Sequence, residues 1–265
     1  MLPFNLQLIF AFVFGLTIGS FLNVCIYRLP LKRSIVTPPS ACPSCGYRIR
    51  FYDNIPVLSY LMLWGRCRKC GTHISLIYPA VELATGLISM ALLVKYNILN
   101  SNFPEFFIYL IFISALICIG FIDLEHQIIP DVISIPGIIA GLFFSLVISH
   151  IPWMDSLIGI LAGGGILYLV AILFELITKK EGMGGGDVKL LAMIGAFLGW
   201  KAIPFVILVS SLTGSIIGGA ALMMSKKGIR TKIPFGPFLA LGAVLYVFFG
   251  KEIINWYISI LSPGL

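Results

Sequence analysis

Residues 106–123 read FFIYLIFISALICIGFID, an uncharged apolar run closed by Asp123. A helix of this run is long enough to cross the hydrocarbon core of a bilayer, and an aspartate at its polar edge is costly to keep there without a task. The pattern recurs along the chain. Of 265 residues, 59% are hydrophobic and 11% charged, and the mean hydropathy is +1.03. That is more apolar surface than a soluble core buries, so the composition points to a polytopic membrane protein. Spans are expected near 5–27, 77–95, 106–122, 132–150, 157–177, 188–200, 203–224 and 238–261. The sixth is short for a full crossing, so it is either re-entrant or continuous with the seventh across Gly199-Trp200-Lys201. The expected fold is all-α and polytopic, with about eight transmembrane helices.

Basic residues orient these spans. With the segment after the first span inside, the inner loops 28–76, 178–189 and 225–237 hold 15 of the 18 Lys and Arg residues. Lys95, Lys201 and Lys251 remain outside. This asymmetry is what the positive-inside bias predicts, and it places both termini outside. The net charge of +7 is therefore topological. It calls for no nucleic-acid partner, although the same residues attract anionic lipid headgroups. The N-terminal stretch has no basic residue before Arg28 and reads as an anchor with an outward N-terminus rather than a cleaved signal.

One polar segment, 28–76, is long enough to fold by itself. It contains Cys42-Pro43-Ser44-Cys45-Gly46 and Cys67-Arg68-Lys69-Cys70-Gly71. Two CxxC turns at this spacing suit a tetrahedral site of four thiolates, with each glycine letting the chain turn behind its sulfurs. A structural zinc on Cys42, Cys45, Cys67 and Cys70 is the expectation, because so small a domain lacks core. Two disulfides or a redox dithiol are the alternatives, disfavoured by a reducing cytoplasm. Cys25 and Cys118 lie in apolar spans and read as packing residues.

A second aspartate, Asp187, ends Gly182-Met183-Gly184-Gly185-Gly186-Asp187. In the topology above, Asp123 ends the third span and Asp187 opens the sixth from the same side. Glycines such as Gly184 and Gly186 remove side chains and let an extended substrate backbone approach. Two carboxylates in one site do not both ionise readily, so one holds a proton while the other takes one from water. That is the equipment of an aspartic protease. Helix ends favour Asp187, at an N-terminus, as the base and Asp123, at a C-terminus, as the acid. Either aspartate alone would read as a solvated helix end. Gly163-Gly164-Gly165 and Gly218-Gly219 read as helix-packing glycines, and none of the glycine runs has the context of a nucleotide fingerprint. Glu125, His126 and Asp131 are expected in a wet loop, where a metal role rests on a single histidine. Glu82, just inside the second span, reads as a hydrogen-bonded structural residue or a substrate contact.

Seven segments in order carry a resemblance over nearly the whole chain. They are Gly19-Ser20-Phe21-Leu22-Asn23-Val24 with Tyr27-Arg28-Leu29-Pro30, the CxxC pair, the Asn54-Ile55-Pro56-Val57-Leu58-Ser59-Tyr60 stretch it encloses, and Tyr78-Pro79-Ala80-Val81-Glu82-Leu83. The others are Asp123 to Pro130-Asp131, Gly184-Gly185-Gly186-Asp187-Val188-Lys189-Leu190, and Pro234-Phe235-Gly236-Pro237. The sequence resembles the bacterial type IV prepilin peptidases, bifunctional leader peptidase/N-methyltransferases of pilus, type II secretion and competence systems. It departs from the family pattern at Ile77, where arginine often precedes Tyr-Pro, and at Trp64, where a basic residue is common.

The resemblance implies cleavage of a prepilin or pseudopilin after a glycine at the cytoplasmic face of the bacterial inner membrane. It also implies N-methylation of the new N-terminal residue with S-adenosylmethionine, and possible association with pilus or secretion machinery. The family's catalytic aspartates fall on Asp123 and Asp187, and its GxGD motif on Gly184 to Asp187. Lys189 is expected to face an acidic residue of the substrate. The expected organisation is a first transmembrane helix in 1–27, a cytoplasmic four-cysteine domain in 28–76, associated with methylation, and a helical peptidase domain in 77–265. The competing readings are a proton-coupled secondary transporter using the two aspartates and a non-catalytic zinc-stabilised scaffold.

Overall fold

The computed structural model describes residues 3–96, 103–147, 151–179, 184–224 and 234–261. Among them, nine α-helices account for nearly all regular structure. They are α1 Phe4–Arg28, α2 Leu58–Met62, α3 Ile77–Tyr96, α4 Phe103–His126, α5 Asp131–Phe144, α6 Trp153–Thr178, α7 Gly185–Leu198, α8 Ala202–Met224 and α9 Gly236–Leu261. The chain forms two compact units, Met1–Cys118 and Ile119–Leu265, so the division falls within α4.

All eight expected spans are helices, but their lengths differ in kind. Among the described residues, α1, α3, α4, α6 and α8 contain segments long and apolar enough to cross a membrane. Helix α5 ends at Phe144, earlier than the sequence suggested, with Ser145 turning its hydroxyl back onto the Leu142 carbonyl at 2.7 Å. Residues 148–150 of that expected span lie outside the described residues. Helix α7 has 14 residues, about 21 Å at 1.5 Å per residue, against a hydrocarbon core of about 30 Å. It is not continuous with α8, because Gly199 at φ 76° breaks the chain between them.

In the N-terminal unit, α1 and α3 meet without side chains between them. A Cβ on Gly15 would lie 2.6 Å from the Thr85 carbonyl oxygen, and one on Gly19 would lie 2.6 Å from the Glu82 Cα. Small residues let backbones approach, which in lipid replaces the hydrophobic drive for helix pairing. Cys25 and Cys118 are buried, as packing residues should be.

In the C-terminal unit, α7 is the core. Every residue from Leu190 to Leu198 is buried, whereas only 17% of the most apolar window of α6 is buried, and α6 turns large apolar side chains such as Leu161 and Leu169 outward, as a lipid-facing helix does. Gly159 of α6 touches the backbone of Gly195, Gly163 meets the Leu191 carbonyl, and Gly137 and Gly141 of α5 accept Met193 and Ala196. Ser156 completes the seam by donating its hydroxyl to the Ala196 carbonyl at 2.7 Å. Of the Gly163-Gly164-Gly165 run, therefore, Gly163 is pressed against the neighbouring backbone, while a Cβ on Gly165 would meet nothing within 4 Å. Gly219 likewise has open space around it, so close packing does not explain that glycine.

These contacts separate two kinds of glycine by stability. Gly19→Val should destabilise the detergent-solubilised protein by about 1–3 kcal/mol or more through overpacking. Gly165→Ala should be neutral or stabilise by about 0.5–1 kcal/mol, as alanine replaces glycine in a helix interior. Thermal unfolding of the two variants beside the parent protein checks both.

Candidate active site and metal centre

Asp123 occupies the last turn of α4 and is 5% exposed. A buried carboxylate needs a partner, and Asp123 has one in the first residue of α9, whose Gly236 N–H donates to Oδ2 at 2.9 Å. A Cβ on Gly236 would lie 2.6 Å from that same oxygen, so only glycine brings its amide this close. Pro237 follows without a helix-breaking penalty, because proline is tolerated in the first turn. The Pro234-Phe235-Gly236-Pro237 segment stood out in the sequence, but spacing alone gave it no role. The signal was the glycine flanked by prolines at a helix start, a place where backbone N–H groups are free to hold an anion.

Asp187 lies in the first turn of α7, after the Gly184 N-cap, and is half-buried. It is close enough to Asp123 for the two carboxylates to interact electrostatically. The connection after α4 helps set this meeting. Ile129 packs against Gly186, where a Cβ would come within 2.9 Å of the Ile129 Cβ. Asp131, which opens α5, pairs with Lys189 Nζ at 2.7 Å.

These contacts change several residue readings. Gly186 is small because Ile129 sits on it, whereas Gly184 and Gly185 are exposed and a Cβ on Gly185 would meet nothing within 4 Å. Gly182 lies outside the described residues. Lys189, expected to face a substrate acid, pairs with Asp131 across the α5–α7 seam. His126 lies 3.9 Å from Glu125 and both are largely exposed. The helix-end argument that made Asp187 the base and Asp123 the acid also loses its asymmetry. Asp123 ends one helix but faces the N-terminus of another, so each carboxylate lies at a helix N-terminus.

The four cysteines of the N-terminal unit converge. Their sulfur atoms all lie within 4.8 Å of one another, with Cys42 and Cys70 3.8 Å apart and Cys45 and Cys67 4.0 Å apart. A zinc–sulfur bond of about 2.3 Å in a tetrahedron puts sulfurs about 3.8 Å apart, so this donor set fits one ion. A disulfide requires about 2.0 Å, and all four thiols are free. Each knuckle is the same turn. Gly46 N–H donates to the Cys42 carbonyl and Gly71 N–H to the Cys67 carbonyl, both at 2.9 Å, with positive φ at both glycines. Antiparallel bridges Ala41–Arg48 and Arg66–His73 close the two turns alike. Between them, Asp53 accepts a two-toothed hydrogen bond from Arg68, at 2.9 Å from Nε and 2.6 Å from Nη2. Hydrogen bonds from the Thr72 hydroxyl and N–H pull the Cys70 thiol down to about 6; at Cys45 a backbone hydrogen bond from Tyr47 pulls down, but desolvation and the sulfurs of Cys70, Cys42 and Cys67 together outweigh it and push the thiol up to about 11.

A cleft of about 430 Å³ is lined by this domain, with Cys42 and Cys67 in its wall, and by α1 and α3. Glu82 stands in its wall, 8% exposed, accepting a hydrogen bond from Val57 N–H at 2.8 Å. Ser20 and Asn23 lie beside the carboxylate, and Asn23 Nδ2 donates to the Tyr78 carbonyl at 3.0 Å. Glu82 is thus hydrogen-bonded, and the donor from Val57 could not be read from spacing.

The N-terminal unit and the dyad unit each have a counterpart in known families. Residues 13–96 match the bacterial peptidase A24 N-terminal domain, and residues 110–219 match the type IV leader peptidase family. A prepilin leader peptidase/N-methyltransferase of Aeromonas salmonicida is 38% identical over 273 residues, covering 94% of this chain and 92% of the relative. The chain belongs to the type IV leader peptidase family. A protein of the same name from Pseudomonas aeruginosa is 40% identical over 276 residues, covering 92% of this chain and 91% of its own. One from Burkholderia pseudomallei is 36% identical over 274 residues, covering 94% and 87%. No solved structure matches. A transporter or an inert scaffold has no counterpart among these three relatives.

Metal binding by the cysteine cluster requires thiolates, so loading must displace the protons that remain. The hydrogen bonds from Thr72 favour the Cys70 thiolate, whereas the neighbouring sulfurs favour the protonated Cys45. Elemental analysis for bound metal ion should show a content lowered by Cys42→Ser or Cys67→Ser. Zinc titration of the metal-stripped protein in weak buffer should release protons, and affinity should fall as pH drops below about 6 and Cys70 also protonates.

Proposed function

We propose that this chain is a membrane aspartyl endopeptidase that removes the leader of prepilins or pseudopilins after a glycine, with Asp123 and Asp187 as its catalytic pair. We place the reaction at the cytoplasmic face of the bacterial inner membrane, the side on which the basic loops concentrate. The observation that carries this reading is the meeting of two carboxylates from α4 and α7, one of them buried and held by Gly236 N–H.

The chemistry follows from sharing one proton between two carboxylates. The ionised member takes a proton from a water, whose oxygen bonds to the scissile carbonyl carbon. The protonated member gives its proton to the carbonyl oxygen. As the tetrahedral adduct collapses, the carbon–nitrogen bond breaks and the leaving amine takes a proton from the carboxyl that received one from water. Substrate or solvent decides which carboxylate starts protonated, because a coupled pair titrates as a unit. Gly184 and Gly185 leave room for the extended leader beside Asp187. A substrate acid reaches Lys189 only by displacing Asp131, so that contact would form on docking.

Cys42, Cys45, Cys67 and Cys70 would hold a structural zinc, whose four thiolates close its shell to substrate. The relatives' name adds N-methylation. S-adenosylmethionine would supply the methyl group, and the cleft beside Glu82 is of a size that takes such a ligand. Pilus or secretion machinery is the partner that a prepilin substrate brings.

Purified protein in liposomes should cleave a prepilin, with leader and mature masses read by mass spectrometry. Asp123→Asn and Asp187→Asn should each abolish cleavage while remaining folded, and cleavage surviving in either would end the peptidase assignment to this pair. Gly236→Ala should lower the rate by about 10²-fold or more, the scale on which a misplaced catalytic group acts, while zinc content stays at the parent level.

A further inference from the structure

The four-cysteine segment carries an apolar face that none of the chemistry above uses. A surface helix in water turns its polar side chains outward and buries its apolar stripe. Helix α2 does the reverse. Ser59 is buried, its hydroxyl donating to the Ile55 carbonyl at 2.8 Å, while Leu58, Leu61 and Met62 are exposed, Met62 to 77%. Positions i, i+3 and i+4 share one side of a helix, so these three form a single apolar face. Trp64, two residues past the end of α2, is 87% exposed.

Trp64 is held out by its backbone. Its N–H donates to the Leu61 carbonyl at 3.1 Å, and the Gly65 N–H donates to the Tyr60 carbonyl at 2.8 Å. These paired bonds close a helix through a left-handed residue, a place glycine usually takes. Here that residue is Trp64, at φ 53°, a conformation uncommon for a bulky side chain. With so little protein against its ring, the fold recovers none of that cost by packing. Strain that packing does not explain points to a task for the side chain.

The depth of α2 says what covers this face. Val57, the residue before α2, donates its N–H to Glu82 at 2.8 Å. Glu82 is the sixth residue of α3, about 8 Å along that helix at about 1.5 Å per residue. Helix α3 has 20 residues, the length that crosses a hydrocarbon core of about 30 Å. Helix α2 therefore lies beside the outer turns of a membrane span, at the level where headgroups meet acyl chains. Charge agrees with this placement. Residues 28–76 hold eight Lys and Arg residues against one acidic residue, Asp53, which is paired with Arg68. Arg66 and Lys69, close behind Trp64, are both exposed.

We propose that α2 and Trp64 anchor the four-cysteine domain to the bilayer, with Leu58, Leu61, Met62 and Trp64 set into the headgroup–acyl boundary of the adjoining leaflet. Arg66 and Lys69 meet the phosphates of its anionic lipids. Tryptophan is favoured at that level, because its ring suits acyl carbons and its N–H suits headgroups. Basic residues beside an apolar face add attraction to anionic lipid. Ser59 and Tyr60 of α2 belong to the wall of the cleft, so the anchor also fixes the depth at which that cleft lies.

The test uses the full chain with Trp64 as its single tryptophan, made by Trp153→Phe, Trp200→Phe and Trp256→Phe, in liposomes of phosphatidylcholine and phosphatidylglycerol. Trp64 emission should be blue-shifted, quenched by lipids brominated at the headgroup end of the acyl chain, and shielded from iodide in the water. Red-shifted emission that iodide quenches and brominated lipid does not would overturn the proposal. Emission shielded from both quenchers would also overturn it, because protein, from a substrate or a second copy, would then cover the face. Replacing phosphatidylglycerol by phosphatidylcholine should weaken the bromine quenching, and no change would strike Arg66 and Lys69 from the anchor. Should the triple substitution fail to fold, a photoreactive phosphatidylglycerol decides with the wild-type chain. Label should then fall on the peptide holding Leu58 to Trp64, and label found on α6 but absent from that peptide overturns the proposal.

Discussion

The seam between α7 and the glycines of α5 and α6 is the constraint on which the candidate peptidase site depends. Helix α7 is too short to reach across a bilayer and too buried to lie against lipid. Its position is set by backbone contact, with Gly159 on Gly195, Gly163 on Leu191, Gly141 on Ala196 and the Ser156 hydroxyl on the Ala196 carbonyl. In a medium where apolar burial gives little drive to helix pairing, close approach and interhelical hydrogen bonds carry the association. A helix gripped over its last nine residues presents its first turn, and Asp187, from a rigid base. The other carboxylate is fixed differently. Asp123 is drawn to the N-terminus of α9 by one amide that only glycine can offer at that distance.

The same physical device serves the N-terminal unit. Gly15 and Gly19 bring α1 against α3, and this approach closes Ser20 and Asn23 around Glu82. The cysteine knuckles build the rest of the cleft from a segment with hardly any buried core of its own. A metal ion on the four sulfurs would do there what packing does elsewhere, since small domains without a core rely on such staples.

Much of this was legible in the sequence for reasons that can be named. Long apolar runs determine helices almost regardless of context, because lipid leaves a backbone no other way to satisfy its hydrogen bonds. The CxxC pair carries its geometry in its spacing, and the two turns superimpose in pattern, Gly46 answering Gly71. Asp123 and Asp187 could be paired in the sequence because the expected topology puts them at one depth. What escaped was whatever depends on a partner far away in sequence. Gly236 was visible as a motif but not as the donor to a residue 113 positions earlier. The Asp131 partner of Lys189 was not visible either, because nothing local marks it. Gly219 resembled a packing glycine, although its helix presents that face to open space. The helix-dipole argument did not include α9, which approaches Asp123 from outside its own helix.

The central claim is that the two aspartates form one catalytic unit. Its most direct test compares the residual prepilin cleavage rates of Asp123→Asn, Asp187→Asn and the double variant against the uncatalysed rate. Members of a unit are strongly non-additive, so the double variant should be no slower than either single one. Residual rates that multiply, with the double variant losing the product of the two single losses, would mean that the carboxylates act independently, and would contradict the account.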